Sequence, residues 1–285
     1  MRWLILPATL LAATAAFLLA QTAAPNATGI SAGHIHLIVP DAAAMQKLWV
    51  DVMGAQAATA GPLTMAKLPN VFVIITANAT PRAGSKGSVT DHMGFLVKNY
   101  AATKAKAMAA NLPVQEVTPN QQAFVTFPGD VIVEIQEDTT IASESAFGHY
   151  HLSVPDQNAA REWYIKTFGA EEGQRRPGLK GAKLPGAFVD FLGAGGGGGK
   201  GKGKVADGGA PPTPPAPPAG SKGRTLDHIG FEVKDLKAFT DALVAGGQKM
   251  DMAYNDVSAK IGLKIAFITD PNGTYIELTE GLNVK

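Results

Sequence analysis

The chain has 285 residues, 25 Lys and Arg against 24 Asp and Glu, and a formal net charge of +1. That length suggests about two domains of ordinary size, and 46% apolar residues suffice for a packed core. Interspersed charges without a basic-aromatic patch do not suggest nucleic acid, and the absence of cysteine excludes disulfides, thiolate metal sites and a lipobox-type lipid anchor.

In chain order, residues 1–24 read as an export signal. Arg2 supplies the positive start and Trp3 to Ala20 an apolar run. Ala20, or Thr22-Ala23-Ala24, offers small residues for cleavage. The run also reaches the lower limit for an uncleaved membrane anchor. Cleavage and export, periplasmic or secreted, is the expectation, with no membrane contact afterwards.

Gly33 to Asp41 reads Gly-His-Ile-His-Leu-Ile-Val-Pro-Asp. Ile35, Leu37 and Val39 alternate with His34, His36 and Ile38, the period of a strand. Asp41 then caps a helix that stops at Gly54. A strand over Val71 to Thr76 follows. Asp91 to Phe95, Asp-His-Met-Gly-Phe, opens a second unit with a helix over Tyr100 to Asn111. Strands at Phe124 to Thr126 and Val131 to Gln136 close it.

The pattern then repeats. Gly148 to Asp156 reads Gly-His-Tyr-His-Leu-Ser-Val-Pro-Asp, followed by a helix between Asp156 and Gly169 and a strand over Ala187 to Leu192. Asp227 to Phe231, Asp-His-Ile-Gly-Phe, precedes a helix over Leu236 to Ala245 and strands at Lys264 to Ile268 and Thr274 to Thr279. Lys67-Leu68-Pro69 matches Lys183-Leu184-Pro185, and Ala83 to Gly87 matches Ala219 to Gly223. The chain is an internal duplication in which each half holds two smaller modules. The halves span 30–140 and 145–285. Between modules three and four lies a Gly- and Pro-rich insertion over 193–223, expected to be mobile and dispensable for folding. Its glycine run lacks the Gly-Lys-Ser/Thr ending and following helix of a phosphate loop.

All six histidines fall in the four repeated strands, and histidine is the commonest metal ligand. In each half, two histidines open two strands and a glutamate sits inside the last one. The sets are His34, His92 and Glu134 in the first half, and His149, His228 and Glu277 in the second. A glutamate in an otherwise apolar strand is costly to bury unless paired or bound to a cation. Two imidazoles and a carboxylate suit a divalent ion such as Zn, Fe, Mn or Ni and leave coordination positions open.

Taken as a set, Gly-His-x-His-Leu-x-Val-Pro-Asp, Asp-His-x-Gly-Phe and Asp270-Pro271-Asn272-Gly273-Thr274-Tyr275-Ile276-Glu277 resemble the vicinal oxygen chelate superfamily. This group includes glyoxalase I, methylmalonyl-CoA epimerase, fosfomycin-resistance proteins and extradiol dioxygenases. The resemblance implies an α+β fold of four βαβββ modules in two tandem pairs, each pair a curled mixed sheet forming a cup with helices outside. It also places the first-strand ligand at His34 and His149 rather than at His36 and His151. The latter pair lies two residues on, about 7 Å along the strand. They read as cup-lining histidines held by hydrogen bonds, or, for His151, as an acid/base group. Asp190, whose counterpart is Ile74, stands where the resemblance implies a fourth ligand or proton-transferring carboxylate. An edge-strand aspartate facing water is the other reading. Glu232, on the His228 face, reads as a rim residue. Trp49, Tyr100, Trp163 and Tyr164, at helix spacing, read as packing residues.

The resemblance leaves three functions open. The first is a metal-dependent lyase or isomerase of the glyoxalase type, in which the metal holds two vicinal oxygens of a small-molecule substrate. Glutathione-linked glyoxalase chemistry is cytosolic, so an exported member would need another substrate. The second is an extradiol-type Fe(II) dioxygenase, against which stands the absence of any histidine after His228 and the presence of Phe267 where a tyrosine is expected. The third is a non-catalytic binding protein. The lyase reading leads, with chemistry mainly in the second half through Asp190, in a monomer or homodimer.

Overall fold

A computed structural model describes residues 22–80, 82–193 and 217–282. The export segment, except for its last residues, and most of the Gly/Pro-rich insertion lie outside the described residues. Among those described, no helix is long and apolar enough to cross a membrane.

The four modules form as expected. The first comprises β1 (Ile30–Val39), α1 (Ala42–Met53), β2 (Gln56–Ala60), β3 (Leu63–Leu68) and β4 (Val71–Ala77). The second has β5 (Thr90–Val97), α2 (Tyr100–Ala109), β6 (Val114–Thr118), β7 (Gln122–Phe127) and β8 (Val131–Glu137). The third has β9 (Ser145–Val154), α3 (Gln157–Phe168), β10 (Glu171–Gly173), β11 (Lys180–Leu184) and β12 (Ala187–Gly193). The fourth has β13 (Leu226–Val233), α4 (Leu236–Ala245), β14 (Met250–Asp256), a short α5 (Ser258–Ile261), β15 (Lys264–Thr269) and β16 (Tyr275–Glu280). The helix ends follow from the local chemistry. The Asp41 and Asp156 side chains accept from backbone N–H groups of the first turn, and Gly54 and Gly169 end α1 and α3 in the left-handed conformation.

The modules build two eight-stranded mixed sheets, and the fold is α+β. The sheets do not follow the sequence halves. One runs β14-β15-β16-β13-β1-β4-β3-β2 and joins modules one and four. The other runs β10-β11-β12-β9-β5-β8-β7-β6 and joins modules two and three. The central pairings are antiparallel, β1 with β13 and β5 with β9. Each half of the sequence is therefore divided between the two sheets.

The connection between β8 and β9 shows why modules two and three share a sheet. Val97 at the end of β5 is opposite Glu137 of β8 on one side and Ser145 of β9 on the other. The segment 138–144 only has to pass over the end of one strand, about 10 Å. Asp138 N–H and Val97 C=O, and Lys98 N–H and Glu144 C=O, fasten it there.

The two sheets are held together by packing and by the repeated Leu-Pro turns. Trp49 of α1 stacks on Phe127 with ring centroids 5.0 Å apart and lies 5.3 Å from Phe95, both in the other sheet. Phe168 of α3 meets Phe231 of β13 at 4.8 Å. Trp49, Tyr100 and Tyr164 are buried and Trp163 packs beside them, as the helical spacing predicts. The Pro69 carbonyl accepts from Phe147 N–H and the Pro185 carbonyl from Ala32 N–H, so each turn reaches the opposite sheet. Tyr150 of β9 adds a buried hydroxyl 3.3 Å from the Gly230 carbonyl and 3.4 Å from that of His34.

The far end of the expected insertion is tied to the fold rather than loose. Ala219 bridges Ser88, and Ser221 Oγ accepts from Tyr275 N–H at 2.9 Å. Ser85 Oγ plays the same part for Ile132 N–H at 3.2 Å. The repeated Ala-Gly-Ser-Lys-Gly segments thus anchor the starts of β16 and β8, the strands that carry the two glutamates.

Candidate metal centres

Because modules pair across the halves, the histidines and glutamates regroup. His34, His36, His228 and Glu277 gather in one cup, and His92, Glu134, His149 and His151 in the other. His149 therefore does not share a site with His228 and Glu277, and His34 does not share one with His92 and Glu134. The expected sets were drawn within each half, whereas β1 pairs with β13 and β9 with β5. The convergence of two histidines and one glutamate holds with the partners exchanged.

In the β1–β13 cup, Glu277 Oε2 lies 2.9 Å from His34 Nε2 and 2.8 Å from His228 Nε2. In the β5–β9 cup, Glu134 Oε2 lies 3.0 Å from His92 Nε2 and 3.4 Å from His149 Nε2. Ligands in adjacent positions around an ion with bonds of about 2.1 Å stand roughly 3.0–3.4 Å apart. Two of the four separations fall in that range and two just below it, so both groups are compatible with a divalent metal site. A glycine makes room for each group. A Cβ on Gly94 would fall 1.7 Å from His149 Cε1, and one on Gly230 would fall 2.0 Å from His34 Cε1.

Aspartates set the tautomers. Asp91 Oδ1 accepts from His92 Nδ1 at 2.8 Å, and Asp227 Oδ1 from His228 Nδ1 at 2.6 Å. Asp227 is itself held by Gly223 N–H at 2.6 Å. With the proton at Nδ1, each Nε2 turns a lone pair toward a carboxylate oxygen, which is repulsive unless a proton or a cation lies between. Burial opposes charge on His92 and His228, but their acidic neighbours outweigh it and raise both pKa values. Burial pushes Glu134 and Glu277 up, yet the facing imidazoles hold both well below the usual carboxylate range. Burial lowers His34, His149 and His151, and brings His36 to about 3, so these four are neutral and available as ligands near pH 7.

The two cups differ in lining. In the β5–β9 cup, Asp190 of β12 is fully buried and sits beside His151 of β9 in register. Arg175 Nε donates to its Oδ2, while Oδ1 has no partner. Gln122 Nε2 donates to Glu134 Oε1 at 2.7 Å. Phe124 and Phe188 are half-buried and Gln136 is exposed along one side. In the β1–β13 cup the matching side is more buried, although His36 of its donor group is half-buried where all four donors of the other cup are buried. Phe72 and Thr279 are buried, and Met65, Phe72 and Ile74 pack against Leu263 and Leu282 across the concavity. Phe267 lies edge-on to His228, with ring centroids 5.3 Å apart.

Asp190 is not an edge residue facing water. Nor is Glu232 a rim residue: it is buried and accepts from Thr279 Oγ1 at 3.0 Å and from the N–H groups of Gly281 and Leu282 at 2.9 and 3.0 Å. Arg175, Gln122, Asp91 and Asp227 are additions to the expected site. The Asp-His repeat could have revealed the two aspartates. Arg175, in the turn before β11, carries no repeat signal.

Repeated βαβββ modules, curled mixed sheets and inward-facing His/Glu groups are compatible with divalent metal sites in two strand-lined cups. Residues 146–278 match the model of the Glyoxalase/Bleomycin resistance protein/Dioxygenase superfamily, so the chain contains a domain of that superfamily, as its motifs indicate. The matched stretch spans modules three and four, which lie in different sheets. Glyoxalase I from Zea mays superimposes with a TM-score of 0.63 at 14% identity, covering 90% of this chain and 94% of that one. A protein described as a candidate dioxygenase from Bacillus subtilis gives 0.61 at 13% identity, covering 92% and 86%. At these identities the likeness is one of fold. No curated protein matches the sequence.

Proposed function

We propose that the chain is a metal-dependent lyase or isomerase of the glyoxalase type, acting on a small substrate chelated through vicinal oxygens, with its chemistry in the β5–β9 cup. The observation that carries this reading is Asp190, a buried carboxylate with one free oxygen beside a four-donor group, where the other cup has Ile74. His92, His149 and Glu134 hold a divalent ion, Zn, Fe, Mn or Ni. An ion held there would supply Lewis acidity to a substrate with two vicinal oxygens. Asp91 accepts from His92 Nδ1 and so leaves the Nε2 lone pair free for a ligand role, and Gln122 donates to Glu134 Oε1 and keeps that carboxylate from turning away. Asp190 takes and returns the proton, oriented by Arg175. The half-buried Phe124 and Phe188 flank the side from which a small molecule enters.

The working site draws on both halves of the sequence, so the expectation of a second-half site is recast as a site of modules two and three. The test is metal content of the purified protein, followed by a screen of diols, hydroxyketones and epoxides. Turnover lost in Asp190→Asn with metal retained supports the reading. Iron with oxygen consumption on a catechol would replace it with a dioxygenase. Export is part of the proposal: a mature amino terminus near residue 24 in a periplasmic or secreted fraction checks the apolar run of Trp3 to Ala20.

A further inference from the structure

The second histidine of each His-x-His strand is close enough to belong to the metal group. All four donors lie within 4.8 Å of one another in both clusters. Ligands on opposite sides of an ion with bonds of about 2.1 Å are roughly 4.2 Å apart, so small ring rotations bring the set onto one centre. His151 Nδ1 is 2.7 Å from His92 Nε2, a hydrogen-bond contact that a shift of a few tenths of an ångström would open to the spacing of adjacent ligands. The matching rings of His36 and His228 have centroids 4.5 Å apart, against 4.3 Å for His151 and His92. The same geometry thus occurs in two sheets whose linings differ.

The nitrogens of His36 agree. His36 Nε2 lies 2.7 Å from Thr76 Oγ1. With its proton donated there, Nδ1 keeps a lone pair that is buried and has no partner. His151 Nε2 is likewise buried without a partner. With Nδ1 on an ion, Nε2 would carry the proton and still lack a partner, so the unpaired nitrogen that points to an ion is that of His36. A second carboxylate is absent from one cup, where Ile74 stands beside His36; in the other, Asp190 has one oxygen on Arg175 and one without a partner.

We infer that His36 and His151 are the fourth protein ligands of the two centres, making each a three-histidine, one-glutamate site. The inference rests on the metal reading above and goes beyond it in ligand number. Three neutral imidazoles and one carboxylate leave a divalent ion with a net charge of +1 rather than zero. Such a nitrogen-rich set favours Zn, Ni, Cu or Fe over Mg or Mn. It also assigns His151 to holding the ion, which leaves Asp190 as the proton carrier.

The test uses the full-length chain loaded with Zn(II) alone. X-ray absorption counts imidazoles per zinc, and a competing chelator gives Kd. Three imidazoles per zinc in the unaltered protein are expected. The double variant His36→Gln/His151→Gln should fall to two and bind at least tenfold more weakly, with the far-UV dichroism of the metal-free chain unchanged. Two imidazoles in the unaltered protein, or an unchanged count and Kd in a folded double variant, overturn the inference and leave the metal reading standing. A chain that binds no zinc overturns both. If the double variant does not fold, the count in the unaltered protein decides.

Discussion

Gly94 lies directly beneath the imidazole of His149. The two residues are cross-strand partners on β5 and β9, and any side chain at 94 would occupy the volume of the ring. Gly230 and His34 stand in the same relation on β13 and β1. The glycine of Asp-His-x-Gly-Phe is therefore a seat for a ligand from another module. Gly94→Ala should expel His149 from its position while the sheet persists. We expect metal content to fall from two ions per chain to one, with the β1–β13 centre retained. Elemental analysis of Gly94→Ala, Gly230→Ala and the double variant checks this: an unchanged stoichiometry in all three contradicts it.

The module pairing changes which histidine should matter for turnover. His92 belongs with Asp190, whereas His228 belongs to the cup that has Ile74 in place of that carboxylate. His92→Ala should abolish activity, by about a hundredfold or more if the ion is lost. His228→Ala should leave kcat within a few fold. Assays of both on the first substrate from the screen, each with a melting curve, decide it. The reverse pattern would place the chemistry in the other cup.

Metal affinity should fall with pH in a definite window. Asp91 and Glu134 raise the His92 pKa above its ordinary value of 6.5, and Asp227 and Glu277 do the same for His228. A proton on Nε2 of either ring occupies the place of the ion. Competition sets in as pH falls through the raised pKa and grows below it. Binding near neutral pH should therefore release protons, measured by titration calorimetry in buffers of different ionisation enthalpy. In the metal-free protein the sign is the same for these rings: the stability from the charged pair is present below 6.5 and lost as pH rises through the raised pKa.

Asp270 holds the turn that leads into β16. It is buried and accepts from Asn272 N–H and Thr274 N–H at 2.8 Å each and from the Tyr164 hydroxyl at 3.1 Å. Asp270→Ala leaves these donors unpaired and should cost roughly 2–4 kcal/mol. Asp270→Asn keeps an acceptor and should cost less. Urea denaturation of both checks the order.

Much of the fold is legible in the sequence because the repeats carry their own stop signals. Asp41, Gly54, Asp156 and Gly169 bracket their helices as read, and Leu236–Ala245 matches the expected helix end to end. The outer strands β2, β6, β10 and β14 are not legible: they are mostly exposed, and β2, β6 and β10 lack apolar alternation. The pairing of modules is hidden for a different reason. Either pairing joins one His-x-His strand to one Asp-His-x-Gly-Phe strand, so the motifs cannot choose between them. The short segment 138–144 was the available clue, since it favours neighbours in one sheet. The spacing of His34 and His36 along the strand does not show that donor atoms of both lie within 4.8 Å of each other. The rise along a strand separates their Cα atoms, but both rings point into a concave face and meet there.

The β1–β13 centre links the two ends of the described chain. His34 and Glu277 are 243 positions apart in sequence, yet their side chains meet. An ion between them would close a loop almost as long as the protein, and clips across long loops restrict the unfolded chain most. Cysteine is absent from this sequence. A metal held by the first and last strands would serve as its covalent-like cross-link, a staple that chelators open and that reductants leave untouched.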